Sequence, residues 1–224
     1  MLLAMETVHV SFELGSAYER IYIAQYENVQ NGAELKEALI DASKSANDSE
    51  QRKQMDYAFI DGRLIVSRQQ LITAVIEALV ASKRLRQDGI AGFKTPSIHS
   101  DILYTLNPNN NIGDALRRFG VSKATKTLLL VKVASAPPEG PDPIEVIKSM
   151  SALVEGDLVE DGLCLPGDDD LTKRSNRVSL TESSLDWKDL SKVYKLQDIS
   201  NYAKATPGEI EPLICSAVAT KFLS

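Results

Sequence analysis

Cysteine is scarce in this chain of 224 residues: Cys164 and Cys215 are the only two, far apart and without Cys-x-x-Cys spacing. That excludes a disulfide framework and a cysteine-ligated zinc site, and leaves one loop thiol and one core thiol. Histidine is equally sparse. His9 falls on an expected strand and His99 near the start of a helix, and neither has a nucleophile or metal ligand at recognisable local spacing. Both read as structural or solvent-exposed side chains. Glycine-rich phosphate loops are absent, whether of the dinucleotide or the Gly-Lys-Ser/Thr kind. No run of about 18 apolar residues occurs, so no membrane-spanning helix is expected. Residues 1–5 are too short, and lack the basic flank, for a secretory signal, so an intracellular protein is expected. Together these absences argue against an enzyme and against any cofactor or metal.

What is present is an ordinary core-forming composition, with 43% hydrophobic residues. A chain of this length and content is expected to form a single domain over residues 1–224. The formal charge of -6 is unevenly spread: Glu155, Asp157, Glu160, Asp161, Asp168, Asp169 and Asp170 stand together with no basic residue among them. Elsewhere the surface is nearly balanced, so the acidic total does not forbid a local contact with nucleic acid. Asp168 to Asp170 would suit magnesium in a phosphoryl-transfer enzyme, but a glycine-flanked run of carboxylates is ordinarily a solvated loop.

The hydropathy pattern predicts an α+β fold, a small and largely antiparallel sheet flanked by several helices. Strands are expected over 7–14 and 21–26, then a helix from Asn31, with Glu34 reciprocating the cap, and a loose polar stretch over 42–54. A short strand over 57–60 ends at Asp61-Gly62. Ser67 and Gln70 open the strongest helix, whose stripe of Leu71, Ile72, Val75, Ile76, Leu79 and Val80 is mostly core. A helix over 97–106 stops before Pro108. The next is capped by Asn111, with Asp114 as the reciprocal acid, Ala115, Leu116 and Phe119 inward, and Gly120 as a left-handed stop. Residues 127–133 read as a central strand, 144–153 as a helix, and 207–223 as a terminal helix bearing Ile210, Leu213, Ile214 and Val218. Composition over 156–184 turns to Gly, Asp, Ser and Thr, which predicts an irregular, flexible insertion.

The strongest candidate for a functional surface surrounds Leu106-Asn107-Pro108-Asn109-Asn110-Asn111-Ile112. Lys83, Arg84, Arg86 and Lys94 lie at and after the end of the main helix, opposed only by Asp88, and Arg117, Arg118 and Lys123 follow the amide-rich loop. So few cations suit a flexible single-stranded end better than a duplex groove. Asn109 and Asn110 offer donor and acceptor pairs for base edges or phosphate oxygens, while Asn111 is committed to its helix cap.

Tyr57-Ala58-Phe59-Ile60-Asp61-Gly62-Arg63-Leu64-Ile65-Val66-Ser67, the helix after it, the amide-rich loop, Leu116-Arg117-Arg118-Phe119-Gly120-Val121 and Val193-Tyr194-Lys195-Leu196 together resemble the PRPK-binding protein family. That family supplies the small accessory subunit of the KEOPS (EKC) complex. The similarity runs in order from about Val8 to the terminal helix. Two departures stand out: the family commonly has proline where this chain has Gly62, and its basic Lys-Thr-Arg turn is here Lys94-Thr95-Pro96, one cation poorer. The stretch 156–184 is also longer than in typical members.

The resemblance implies a noncatalytic protein, nuclear and cytoplasmic, that docks on the small atypical kinase of KEOPS and reaches its other subunits through that kinase. It implies support for threonylcarbamoylation of adenosine beside the tRNA anticodon, with the tRNA 3' end as a further partner. Mapped onto this chain, Val75, Leu79, Ile214 and Val218 are the expected kinase-binding residues. Lys83, Arg84, Lys94, Asn109 and Asn110 are the expected RNA-binding residues. A scaffold acting at telomeres or in transcription without touching RNA is the alternative.

Overall fold

The computed structural model describes residues 4–10, 16–46, 49–83, 92–160, 162–168, 184–196 and 205–223. The chain forms two compact units, one of Met1–Gly62 and Gly120–Leu163, the other of Arg63–Phe119 and Cys164–Ser224.

The first unit holds the sheet. Its strands are β1 (Glu6–His9), β2 (Arg20–Glu27), β3 (Ala58–Asp61), β4 (Leu128–Ala134) and β5 (Asp157–Leu158). All pairings are antiparallel. β4 lies between β2 and β3, as its unbroken apolar run predicts. Tyr26 of β2 pairs with both Leu128 and Leu158, so β5 must lie on the side of β2 away from β4, in line with β1. On one face Tyr22, Ala24, Tyr26, Phe59, Leu128 and Leu130 join a core with Leu35 and Ala42 of α1 (Gly32–Lys44) and Val146 and Met150 of α6 (Pro143–Leu153). The alternating residues Ile21, Ile23, Leu129 and Val131 are equally buried, which is why these strands lack a polar face.

Several local expectations are corrected. Asn31 precedes α1, but its side chain makes no cap bond. It donates instead to the Leu153 carbonyl at 2.8 Å and accepts from the Glu155 amide at 3.1 Å, tying the end of α6 to the start of α1. The polar stretch after α1 contains α2 (Glu50–Gln54), capped by Ser49, because a good cap outweighs the lack of an apolar stripe. Gly120 does not take a left-handed conformation; it forms a bridge with Ile60 of β3. The opening of the expected irregular stretch is β5, and Leu163 and Leu165 within it are buried. Residues 161 and 169–183 of that stretch, and residues 11–14 of the expected first strand, lie outside the described residues.

Gly62 has a specific reason to be glycine. Its amide donates to the Thr127 carbonyl at 2.9 Å, and a Cβ there would come within 2.8 Å of Thr127 Cγ2. Proline, common at this point in the resembled family, would lose that bond and crowd the same methyl.

The second unit is helical: α3 (Arg68–Lys83), α4 (Ile98–Leu106), α5 (Ile112–Phe119), α7 (Trp187–Tyr194) and α8 (Pro207–Ala219). α3 packs against both α4 and α8, and α4 against α5. Ser67 caps α3 by accepting from the Gln70 amide at 3.1 Å. The Gln70 side chain reaches back to the Val66 amide at 2.7 Å and the Leu64 carbonyl at 3.1 Å.

Candidate docking and RNA-contact surface

All nine residues expected to bind a partner belong to the second unit. Of the four apolar ones, Val75 and Leu79 lie on α3 and Ile214 and Val218 on α8, and each is 0% exposed. The expectation that they form an open edge is therefore corrected. Two helices that pack on each other bury the centres of their stripes mutually, while Ile72, Ile76 and Val80 at the edge of the α3 stripe stay partly exposed. Among the described residues of this unit the most exposed large apolar side chains are Leu213 of α8, at 47%, and Ile112 and Leu116 of α5, at 38% and 46%. Leu116 was expected inward, but Ala115 and Phe119 fill that side of the helix.

The amide-rich loop is largely self-satisfied. Asn111 accepts from the Asp114 amide at 2.9 Å, the expected helix cap. Asp114 does not reciprocate toward the cap. Its carboxylate collects Asn107 Nδ2 at 3.2 Å, Asn109 Nδ2 at 2.9 Å, and Arg118 Nε at 3.0 and 2.9 Å, together with Arg117. Burial pushes this carboxyl up, but the donors from Asn109, Arg117, Arg118 and Asn107 prevail and hold it well below the usual carboxylate range. Asn109 Oδ1 in turn accepts from Asn107 Nδ2 at 3.0 Å and the Asn111 amide at 2.9 Å. The Asn109 amide is thus engaged at both ends. Asn110 is exposed; its Oδ1 accepts from the Tyr104 hydroxyl at 2.9 Å, and its Nδ2 has no partner among the described residues.

Beneath the loop lies a lysine that periodicity alone did not single out. Lys221, in the short turn Lys221–Leu223 after α8, is 5% exposed. Its Nζ donates to the carbonyls of Tyr104, Asn107 at 2.5 Å and Asn109 at 3.1 Å. It also stands 3.4 Å from the centroid of the Tyr104 ring. Burial pushes the amine down to about 7, with the Asp101 charge, the carbonyls and the ring all acting in the other direction. Its only signal in the sequence was a lone cation after an apolar terminal helix.

The basic groups divide similarly. Arg117 and Arg118 are engaged by Asp114, and Arg118 also approaches Asp189 at 3.5 Å. Lys123 belongs to the other unit. Lys83 is exposed at the end of α3, and Arg84 and Arg86 lie outside the described residues. Lys94 is exposed and in charge contact with Asp101, which also holds its backbone firmly. His99 is 3% exposed within α4. Asp168 serves α3, its Oδ1 accepting from the Arg68 amide at 2.9 Å; Asp169 and Asp170 lie outside the described residues.

A family model described as kinase binding protein CGI-121 matches residues 26–222. The chain is similar to the EKC/KEOPS complex subunit CGI121 of Gibberella zeae, 32% identical over 160 residues, covering 70% of this chain and 73% of that one. The subunit of the same name from Schizosaccharomyces pombe is 32% identical over 177 residues, covering 79% and 82%. That from Cryptococcus neoformans is 26% identical over 215 residues, covering 82% and 84%. The resemblance drawn from the strand, the amide-rich loop and the Phe-Gly helix end is borne out. With the match running through both units, the chain belongs to the family of kinase binding proteins CGI-121.

Proposed function

We propose that this chain is a noncatalytic EKC/KEOPS subunit that binds the small atypical kinase of the complex, reaches the other subunits through it, and supports threonylcarbamoyladenosine formation in tRNA. The observation that carries this is the family match over residues 26–222, joined by relatives named as subunits of that complex along most of their own length. The kinase docks on the outer side of α8 around Leu213, with Ile214 and Val218 buried behind it where the helix packs on α3. tRNA is met by Lys83, Arg84 and Lys94 and by the Nδ2 group of Asn110, with Asn109 shaping the loop rather than binding. The protein acts in nucleus and cytoplasm.

Co-elution of the purified chain with the kinase, with and without tRNA, tests both contacts. Leu213→Glu is expected to abolish kinase co-elution without unfolding the chain; retained co-elution would move the interface elsewhere. Lys94→Glu is expected to weaken tRNA binding, and binding itself should fall steeply with salt.

One observation favours a second reading. Asp114 engages Arg117, Arg118 and Asn109, so the loop offers few free groups to a polyanion. A kinase scaffold in telomere or transcription complexes that never touches RNA fits that economy, and unchanged tRNA binding by Lys94→Glu would select it.

A further inference from the structure

Lys94 is exposed, but the backbone that presents it is anchored on a buried acid. Asp101, one turn into α4, is 1% exposed. Its Oδ2 accepts from the Lys94 amide at 3.0 Å and its Oδ1 from the Thr95 amide at 2.7 Å. The Thr95 hydroxyl lies 2.6 Å from the same Oδ1 and 3.0 Å from the Ser97 carbonyl. Ser97 then caps α4 by accepting from the Ser100 amide at 3.2 Å, so the turn and the helix start form one hydrogen-bonded unit. Both carboxylate oxygens are spent on two consecutive backbone donors, which fixes the direction in which the chain leaves residue 94.

We infer that Asp101 is a positioning residue for the anion-binding turn: it holds the Lys94–Thr95 backbone so that the Lys94 ammonium is presented to a phosphate of single-stranded RNA. This rests on the reading of Lys94 as an RNA contact. It makes a prediction whose sign is opposite to that of simple electrostatics. A carboxylate near a polyanion repels it, so deleting its charge should strengthen binding if only its field mattered. Deleting an anchor should weaken it.

The test is tRNA binding by the full-length chain over a range of salt, for wild type, Lys94→Ala, Asp101→Asn and the double variant, with folding checked by circular dichroism. Asparagine keeps the size of Asp101 but replaces one acceptor with a donor, which cannot serve both amides. Asp101→Asn and Lys94→Ala are each expected to weaken binding roughly three- to fivefold and to lower the salt slope by about 1. The double variant is expected to be no worse than either single one, because Asp101 acts through Lys94. Affinity equal to or above wild type for a folded Asp101→Asn, with Lys94→Ala still impaired, overturns the positioning role alone. Unchanged binding by Lys94→Ala overturns the RNA reading itself, and the positioning role with it. Should Asp101→Asn fail to fold, Thr95→Val decides. That variant keeps the carboxylate and removes one tether, so reduced affinity and slope support the inference and wild-type values overturn it.

Discussion

The Lys221 ammonium stands 3.4 Å from the centre of the Tyr104 ring while Nζ also donates to the backbone carbonyl of the same tyrosine. One side chain thereby closes the end of α4 and pins the amide-rich loop to the C-terminal turn. Lys221→Met keeps the apolar stem but leaves the carbonyls of Tyr104, Asn107 and Asn109 without this donor. A loss of about 3 kcal/mol is expected in urea unfolding. Hydrogen exchange should rise at residues 107–111 in the same variant; unchanged exchange there would separate Lys221 from the loop.

Asp114 makes stability depend on acid. Its carboxyl is held well below the 3.8 of a free aspartate, so the unfolded chain takes up this proton more readily than the folded one. The contribution of Asp114 is therefore fully present above about pH 4 and is lost as pH falls below that value. In Asp114→Asn the thermal midpoint is expected to be lower at neutral pH and to change less between pH 5 and pH 2 than in wild type. Parallel curves for the two proteins would count against this.

Burial of the α3–α8 contact separates core from surface. Ile214→Ala is expected to cost about 3 kcal/mol through the cavity it leaves, and Val75→Glu to prevent folding. Leu213→Ser, one residue from Ile214, is expected to change stability by less than about 0.5 kcal/mol. Equal losses at 213 and 214 in thermal melts would mean that the outer side of α8 is also packed.

Gly62→Pro is expected to destabilise by at least about 1 kcal/mol. The lost bond from the Gly62 amide to the Thr127 carbonyl and the crowding of the Thr127 methyl both contribute. Gly62→Pro with Thr127→Ser relieves the crowding by the methyl alone, so partial recovery in chemical denaturation distinguishes the two causes.

Local sequence was a sound guide where one physical effect dominated. The apolar run of β4 called for a central strand, Ser67 and Asn111 for helix starts, and Pro108 for an end. It misled where two effects competed. Asn31 had the spacing of a cap, but two backbone groups near α6 outbid the helix for its amide. Asp114 had the spacing of a reciprocal acid, but two arginines and two asparagines take its carboxylate and the Asn111 amide goes to Asn109 Oδ1 instead.

The sequence by itself determined the family and most of the longer helices and strands, since periodicity, capping and motif order are properties of neighbouring residues. Only the tertiary structure decided which apolar stripe is closed and which polar group is free. Val75 and Ile214 look no different in sequence from Leu213, and Asn109 no different from Asn110. Exposure depends on what a distant segment brings, and here α8 brought a second stripe to α3 and Lys221 to the carbonyls of the loop.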